Sequence, residues 1–70
     1  MITVFKKHSK YADSVYEFIA DNETDITNAE TTTRTLLGHA AGIHSMIHVV
    51  SSGNKYFRDS NGNWNKFGGN

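Results

Sequence analysis

Seventy residues with no cysteine, no proline and a formal net charge of zero leave room for one domain and exclude large enzyme scaffolds, disulfide frameworks and thiolate chemistry. A chain this short buries only about 60% of its unfolded surface, and Leu, Ile, Val and Phe supply just 15 of its residues, near the level of about 20% below which disorder is usual. Without net charge to hold the chain open, that composition describes a small, polar, folded domain.

The zero sum conceals a split. Lys6, Lys7 and Lys10 lie in residues 1–12, residues 13–30 carry six acidic groups and no base, and residues 31–70 sum to +3 with three of the four histidines. A neutral chain divided in this way points to binding rather than to a uniformly solvated surface. No stretch approaches the roughly 18 apolar residues of a bilayer span. The apolar run Ile2–Phe5 is too short, and wrongly ordered relative to Lys6 and Lys7, for a secretory segment. A cytoplasmic chain without membrane contact is expected, in which the sequon Asn22-Glu23-Thr24 carries no meaning.

In chain order, Ile2–Phe5 alternates β-branched and aromatic residues and predicts a short strand. Ser9 can then cap a helix whose apolar stripe is Tyr11, Ala12, Val15, Phe18 and Ile19, running to about Asn22. Asp13, Glu17 and Asp21 recur every four residues on the opposite side, as a solvated acidic row or a contact surface for a basic partner. Thr27-Asn28-Ala29-Glu30 matches a capping box and predicts a helix from about Asn28, although Thr31, Thr32, Thr33 and Thr35 are stiff, poor helix formers. Beyond it two readings stand. Leu36, Ala40, Ile43, Ile47 and Val50 have the spacing of one continuous helix over 28–50, whereas Gly38 and Gly42 favour a break with helices near 28–37 and 42–51.

Gly53 reads as a helix stop. Tyr56–Arg58, Asn61-Gly62 and Trp64–Phe67 form a hairpin signal, since Asn-Gly suits a two-residue turn. Tyr56, Arg58, Trp64 and Lys66 alternate there with Phe57, Asn65 and Phe67, and a core this small is expected to need Phe57 and Phe67 inside. The expected fold is a small α+β domain over residues 1–67: two to three helices packed with a C-terminal β-hairpin, to which a short N-terminal strand can be added. Residues 68–70 should fray.

This order of helix, capped helix, glycine turn, helix and hairpin resembles the winged helix-turn-helix family over residues 15–67. Residues 15–22 resemble its first helix, Thr27 to Gly38 its second, Gly42 to Ser51 its recognition helix, and Tyr56 to Phe67 its wing. The resemblance implies a non-catalytic, regulatory module for duplex DNA. His44, Ser45 and His48 would face the major groove, and Lys55, Arg58, Asn63 and Lys66 would approach phosphates or the minor groove.

Other chemistries find less purchase. His44 and His48 share the four-residue spacing of zinc-binding histidines, but there is no cysteine and Ser45 stands where the HExxH glutamate would be, so no metal is expected. Asp59-Ser60-Asn61-Gly62-Asn63 begins like a calcium loop and fails at Trp64 and Asn70. Ser45 beside histidines is not a nucleophile–base pair on spacing alone, so neither enzymatic activity nor a cofactor is expected. Trp64, Tyr56 and Phe57, with Arg58 and Lys66, could instead stack single-stranded bases. A reading from a different class is a protein-binding inhibitor or adaptor, of the kind that phages and mobile elements encode. It would dock Asp13, Glu17 and Asp21 on a basic host protein. A homodimer through the aromatics of the hairpin is compatible with either reading.

Overall fold

In a computed structural model, which describes residues 1–8 and 15–67, Tyr16–Ala20 forms a strand in which Tyr16, Phe18 and Ala20 are buried while Glu17 and Ile19 are half-buried. That is a period of two. Five strands make one sheet whose spatial order follows the chain: β1 (Ile2–Lys7), β2 (Tyr16–Ala20), β3 (Met46–Val49), β4 (Lys55–Arg58) and β5 (Trp64–Phe67). Neighbours run antiparallel except β2 and β3, which are parallel. Parallel neighbours need a crossover connection. A 3-10 segment, Glu23–Asn28, runs directly into the helix α1 (Ala29–Leu37) to provide it.

The expectation of two to three helices with a terminal hairpin is therefore corrected to one helical unit on a five-stranded mixed sheet. Residues 15–22 and 42–51, which the winged helix-turn-helix pattern needs as its first and recognition helices, contain β2 and β3. Val15, Phe18 and Ile19 fit a helical spacing, but so short a run also fits alternation. Pairing decides between them: β2 has a strand on each side, so its backbone groups are satisfied in the sheet. The proposed continuous stripe also fails on burial, since Leu36, Ile43 and Val50 are 47%, 48% and 67% exposed. Ser9, Tyr11, Ala12 and Asp13 of the expected first helix lie outside the described residues, as does the expected fraying of 68–70.

Phe18 and Ile47, register partners on the two parallel strands, are fully buried and form the centre of the core. Ile2, Ala20 and Val49 extend it across three strands, and Ala29 lets the start of α1 approach closely. Trp64 meets Phe18 edge-on, with centroids 6.1 Å apart at 81°. Thr33 can be buried inside α1 because its hydroxyl donates to Ala29 O at 2.8 Å, which removes the cost of an orphaned donor. The helix ends at Gly38, whose φ of 81° is the left-handed value that terminates helices. The return loop delivers Ser45 into the interior, where its Oγ accepts the Tyr16 N–H at 3.0 Å.

The β4–β5 turn differs from the two-residue form. Residues 59–63 make a longer loop in which Asp59 Oδ1 accepts the N–H groups of Asn61 and Asn63, each at 2.9 Å. The faces also reverse the expected packing. Tyr56, Arg58 and Trp64 turn toward α1, whereas Phe57 is half-buried and Phe67 is 65% exposed on the other side. The helix and strand accounts agree on Phe18, which both bury, and diverge on Leu36. Phe18→Ala should cost about 3–5 kcal/mol, and Leu36→Ala should stay within about 0.5 kcal/mol; urea denaturation followed by circular dichroism distinguishes them.

Candidate nucleic-acid interface

Cross-strand register arranges the side of the sheet away from α1 in two rows. One row reads Lys6, Glu17, Met46, Phe57, Asn65 and the other Thr3, Ile19, His48, Lys55, Phe67, from β1 to β5. Among the described residues no helix covers this face. Phe57 and Phe67 pack against each other with centroids 4.9 Å apart, tilted by 57°. Lys6 and Lys55 are exposed, and no ion pair or hydrogen bond holds either one among the described residues. Three strand spacings, roughly 14 Å, separate Lys6 from the β4 aromatic in the same row. No pocket opens among the described residues, so any ligand must be met by a surface.

The helix-side face is built from internal polar bonds. Glu30, in the first turn of α1, accepts Arg58 Nε and Nη2 at 2.8 and 2.9 Å, Arg34 Nε at 2.8 Å and Trp64 Nε1 at 3.0 Å. The Arg58 bonds above all, then those from Arg34 and Trp64, outweigh burial and draw the Glu30 carboxyl down from 4.5 to about 2. The loop tip lies over this cluster. A Cβ on Gly62 would come within 3.3 Å of Arg58 Nη2, and its φ of 83° favours glycine as well. Glu23 accepts Asn54 Nδ2 at 2.8 Å together with the hydroxyls of Ser52 and Tyr56. Those bonds, Ser52 first, lower the Glu23 carboxyl, and the bond to Glu23 raises the Tyr56 phenol. Asp25 holds the N-terminal ammonium at 2.5 Å and accepts the Asn22 N–H at 3.1 Å.

The residues expected to touch nucleic acid are consequently scattered. Arg58 is only 8% exposed and is clamped to Glu30. Lys66 lies on the helix side of β5, where its charge acts on Glu23. Asn63 belongs to the Asp59-held loop. His44 is exposed in the return loop with a φ of 73°, while Ser45 is buried beside it, so the two cannot present a common helical face. His48 and Lys55 do come together, as register partners on the open face. Of the acidic row, Asp13 lies outside the described residues, Glu17 is on the open face between His8 and His48, and Asp21 sits 3.5 Å from the N-terminus. Glu17 belongs to a strand and Asp21 follows it directly, so the acidic helix face does not form. Of the three aromatics offered for stacking, half-buried Phe57 lies on this face, where it joins exposed Phe67 and Lys6; the alternation Lys55–Phe57 and Asn65–Phe67 is the signal for the pair.

The Glu30 cluster has a defined pH signature. A carboxyl held below its unfolded value stabilises the fold above that value, and the contribution is lost as pH falls from about 4.5 toward 2. Glu30→Gln should therefore cost about 2 kcal/mol at pH 7, the scale of lost charge-assisted hydrogen bonds. It should also flatten the decline in stability between pH 4.5 and 2, as read from urea midpoints across that range.

Among the described residues no helix is long and apolar enough to cross a membrane. Compared with protein-family models, curated proteins and solved structures, the chain matches none of them.

Proposed function

We propose that this chain is a non-catalytic nucleic-acid-binding module that receives a single strand on the open face of its sheet. The observation that carries the reading is the Phe57–Phe67 pair, 4.9 Å apart, on a face that also presents Lys6 and Lys55. Bases stack on exposed aromatic rings with little regard to sequence, and lysines along the same surface meet the phosphates. Asn65, the register partner of Phe57, donates Nδ2 to Asp59 Oδ2 at 2.9 Å and keeps its carbonyl oxygen as an acceptor.

A single strand suits this geometry better than a duplex. A helix that reads a groove must stand clear of the domain, whereas α1 packs on the sheet and spends Arg34 and Arg58 on Glu30. Of the acidic residues offered by the protein-docking alternative, Asp13 lies outside the described residues, Glu17 is engaged by two histidines and Asp21 by the N-terminus. A cytoplasmic site of action belongs to this proposal, since a chain without cysteine takes nothing from an oxidising compartment.

Fluorescence anisotropy with a labelled twelve-nucleotide oligothymidylate, at low and graded salt, tests the reading. Phe57→Ala and Phe67→Ala should each weaken binding by about 1–3 kcal/mol. Replacing Lys6 and Lys55 together by alanine should reduce the log–log salt slope by about 1.4. Wild-type affinity in both phenylalanine variants, or no salt-sensitive binding by the native chain, contradicts the proposal. Self-association that Phe67→Ala abolishes would assign the face to a second copy instead.

A further inference from the structure

Two imidazoles share one carboxylate on the open face. His8, just beyond β1, places Nε2 2.5 Å from Glu17 Oε2, and His48 on β3 places Nε2 3.0 Å from Glu17 Oε1. An ionised carboxylate only accepts, so both Nε2 atoms carry the donated hydrogen, and a further proton enters each ring at Nδ1 without breaking either bond. The cluster can thus change charge while keeping its geometry. Bonds from His8 first, then His48, hold the Glu17 carboxyl below its ordinary value.

The surroundings make that change matter. Lys6 is the register partner of Glu17 on β1, and Lys55 is the partner of His48 on β4. Met46 and Ile19 face the pair from within β3 and β2, and β5 contributes Asn65 and Phe67, which carry no charge. Asp59, which accepts from Asn65 at 2.9 Å, adds a second carboxylate at the β5 edge of the face. With both rings neutral, Lys6, Lys55, Glu17 and Asp59 sum to zero; with both protonated, the same face carries +2. Imidazole is the side chain that ordinarily crosses its charge change between about pH 5 and 8.

We propose that His8, Glu17 and His48 form a proton-operated charge switch that tightens the hold of the open face on single-stranded nucleic acid as pH falls. This rests on the function proposed above. Both added charges lie on the surface that carries the lysines and the aromatic pair, where each new cation can displace a counterion from a phosphate.

The experiment has two arms, both on the full chain. In the first, anisotropy with the labelled twelve-nucleotide oligothymidylate compares pH 7.5 and pH 5.5 at fixed salt, for the native protein and for His8→Gln with His48→Gln. The native protein should tighten by about tenfold, on the order expected for two more phosphate-facing cations, and the double variant by less than twofold. In the second, histidine side-chain resonances are compared by NMR in the native protein and in Glu17→Gln. The imidazole resonances of His8 and His48 should both move in the variant while those of His39 and His44 stay in place. The switch is overturned if the double variant keeps the full pH dependence, if native binding is independent of pH, or if Glu17→Gln moves neither imidazole. Absence of oligonucleotide binding at both pH values overturns the proposed function and the gating together, and the NMR arm then reports whether the coupled cluster exists.

Discussion

One carboxylate holds the two halves of this fold together. The apolar core is centred on Phe18 and Ile47 in β2 and β3, and toward β4 and β5 it gives way to Tyr56, Arg58 and Trp64, side chains with polar ends. Without a partner, Arg58 would be a nearly buried cation, a strongly destabilising state. Glu30 supplies the partner and takes the Trp64 indole N–H as well, so the start of α1 is bonded to both strands of the terminal hairpin. The consequence reaches the opposite face. Phe57 and Asn65 are the chain neighbours of Arg58 and Trp64, and successive residues in a strand point to opposite sides. The clamp on one side thereby sets the position of the candidate interface on the other.

The same economy governs the other acids. Each of the six acidic residues that the structure describes has a partner: Glu17 the two histidines, Asp21 and Asp25 the N-terminus, Glu23 three neutral donors, Glu30 two arginines and an indole, Asp59 its own loop. From Glu17 to Glu30 the block of negative charge is engaged in internal bonding. Among the described residues Lys6 and Lys55 stand on the open face with Glu17 and, at its β5 edge, Asp59. Protonation of the two imidazoles beside Glu17 is then what turns that face toward anions.

How much of this could be read beforehand depended on whether local chemistry or tertiary pairing decided the outcome. The N-terminal strand, the stop at Gly38 and the alternation of residues 55–58 and 64–67 are local, and each was legible. β2 and β3 were not, because strands of five and four residues carry too few periods to separate alternation from a helical stripe, and the neighbouring strands settle the matter. Thr27 to Glu30 matches a capping box, yet Thr27 lies inside the 3-10 segment and Glu30 turns to Arg58. A guanidinium offers that carboxylate two charge-assisted bonds where the helix end offers one neutral donor. For the site, Lys55 and His48 were identified but placed in the wrong frame. A core this small leads one to expect Phe57 and Phe67 inside, a role that Tyr16, Phe18 and Trp64 fill.

The central claim is that the sheet face opposite α1 is the working surface. It is tested most directly by mapping backbone amide shifts of the isotopically labelled protein as an unlabelled short single strand is added. The account predicts that the perturbed amides cluster at Met46–His48, Lys55–Phe57 and Asn65–Phe67, with Ala29–Leu37 unmoved. Shifts centred on α1 and the loop from Gly38 to Ser45, or no shifts at all, would contradict it.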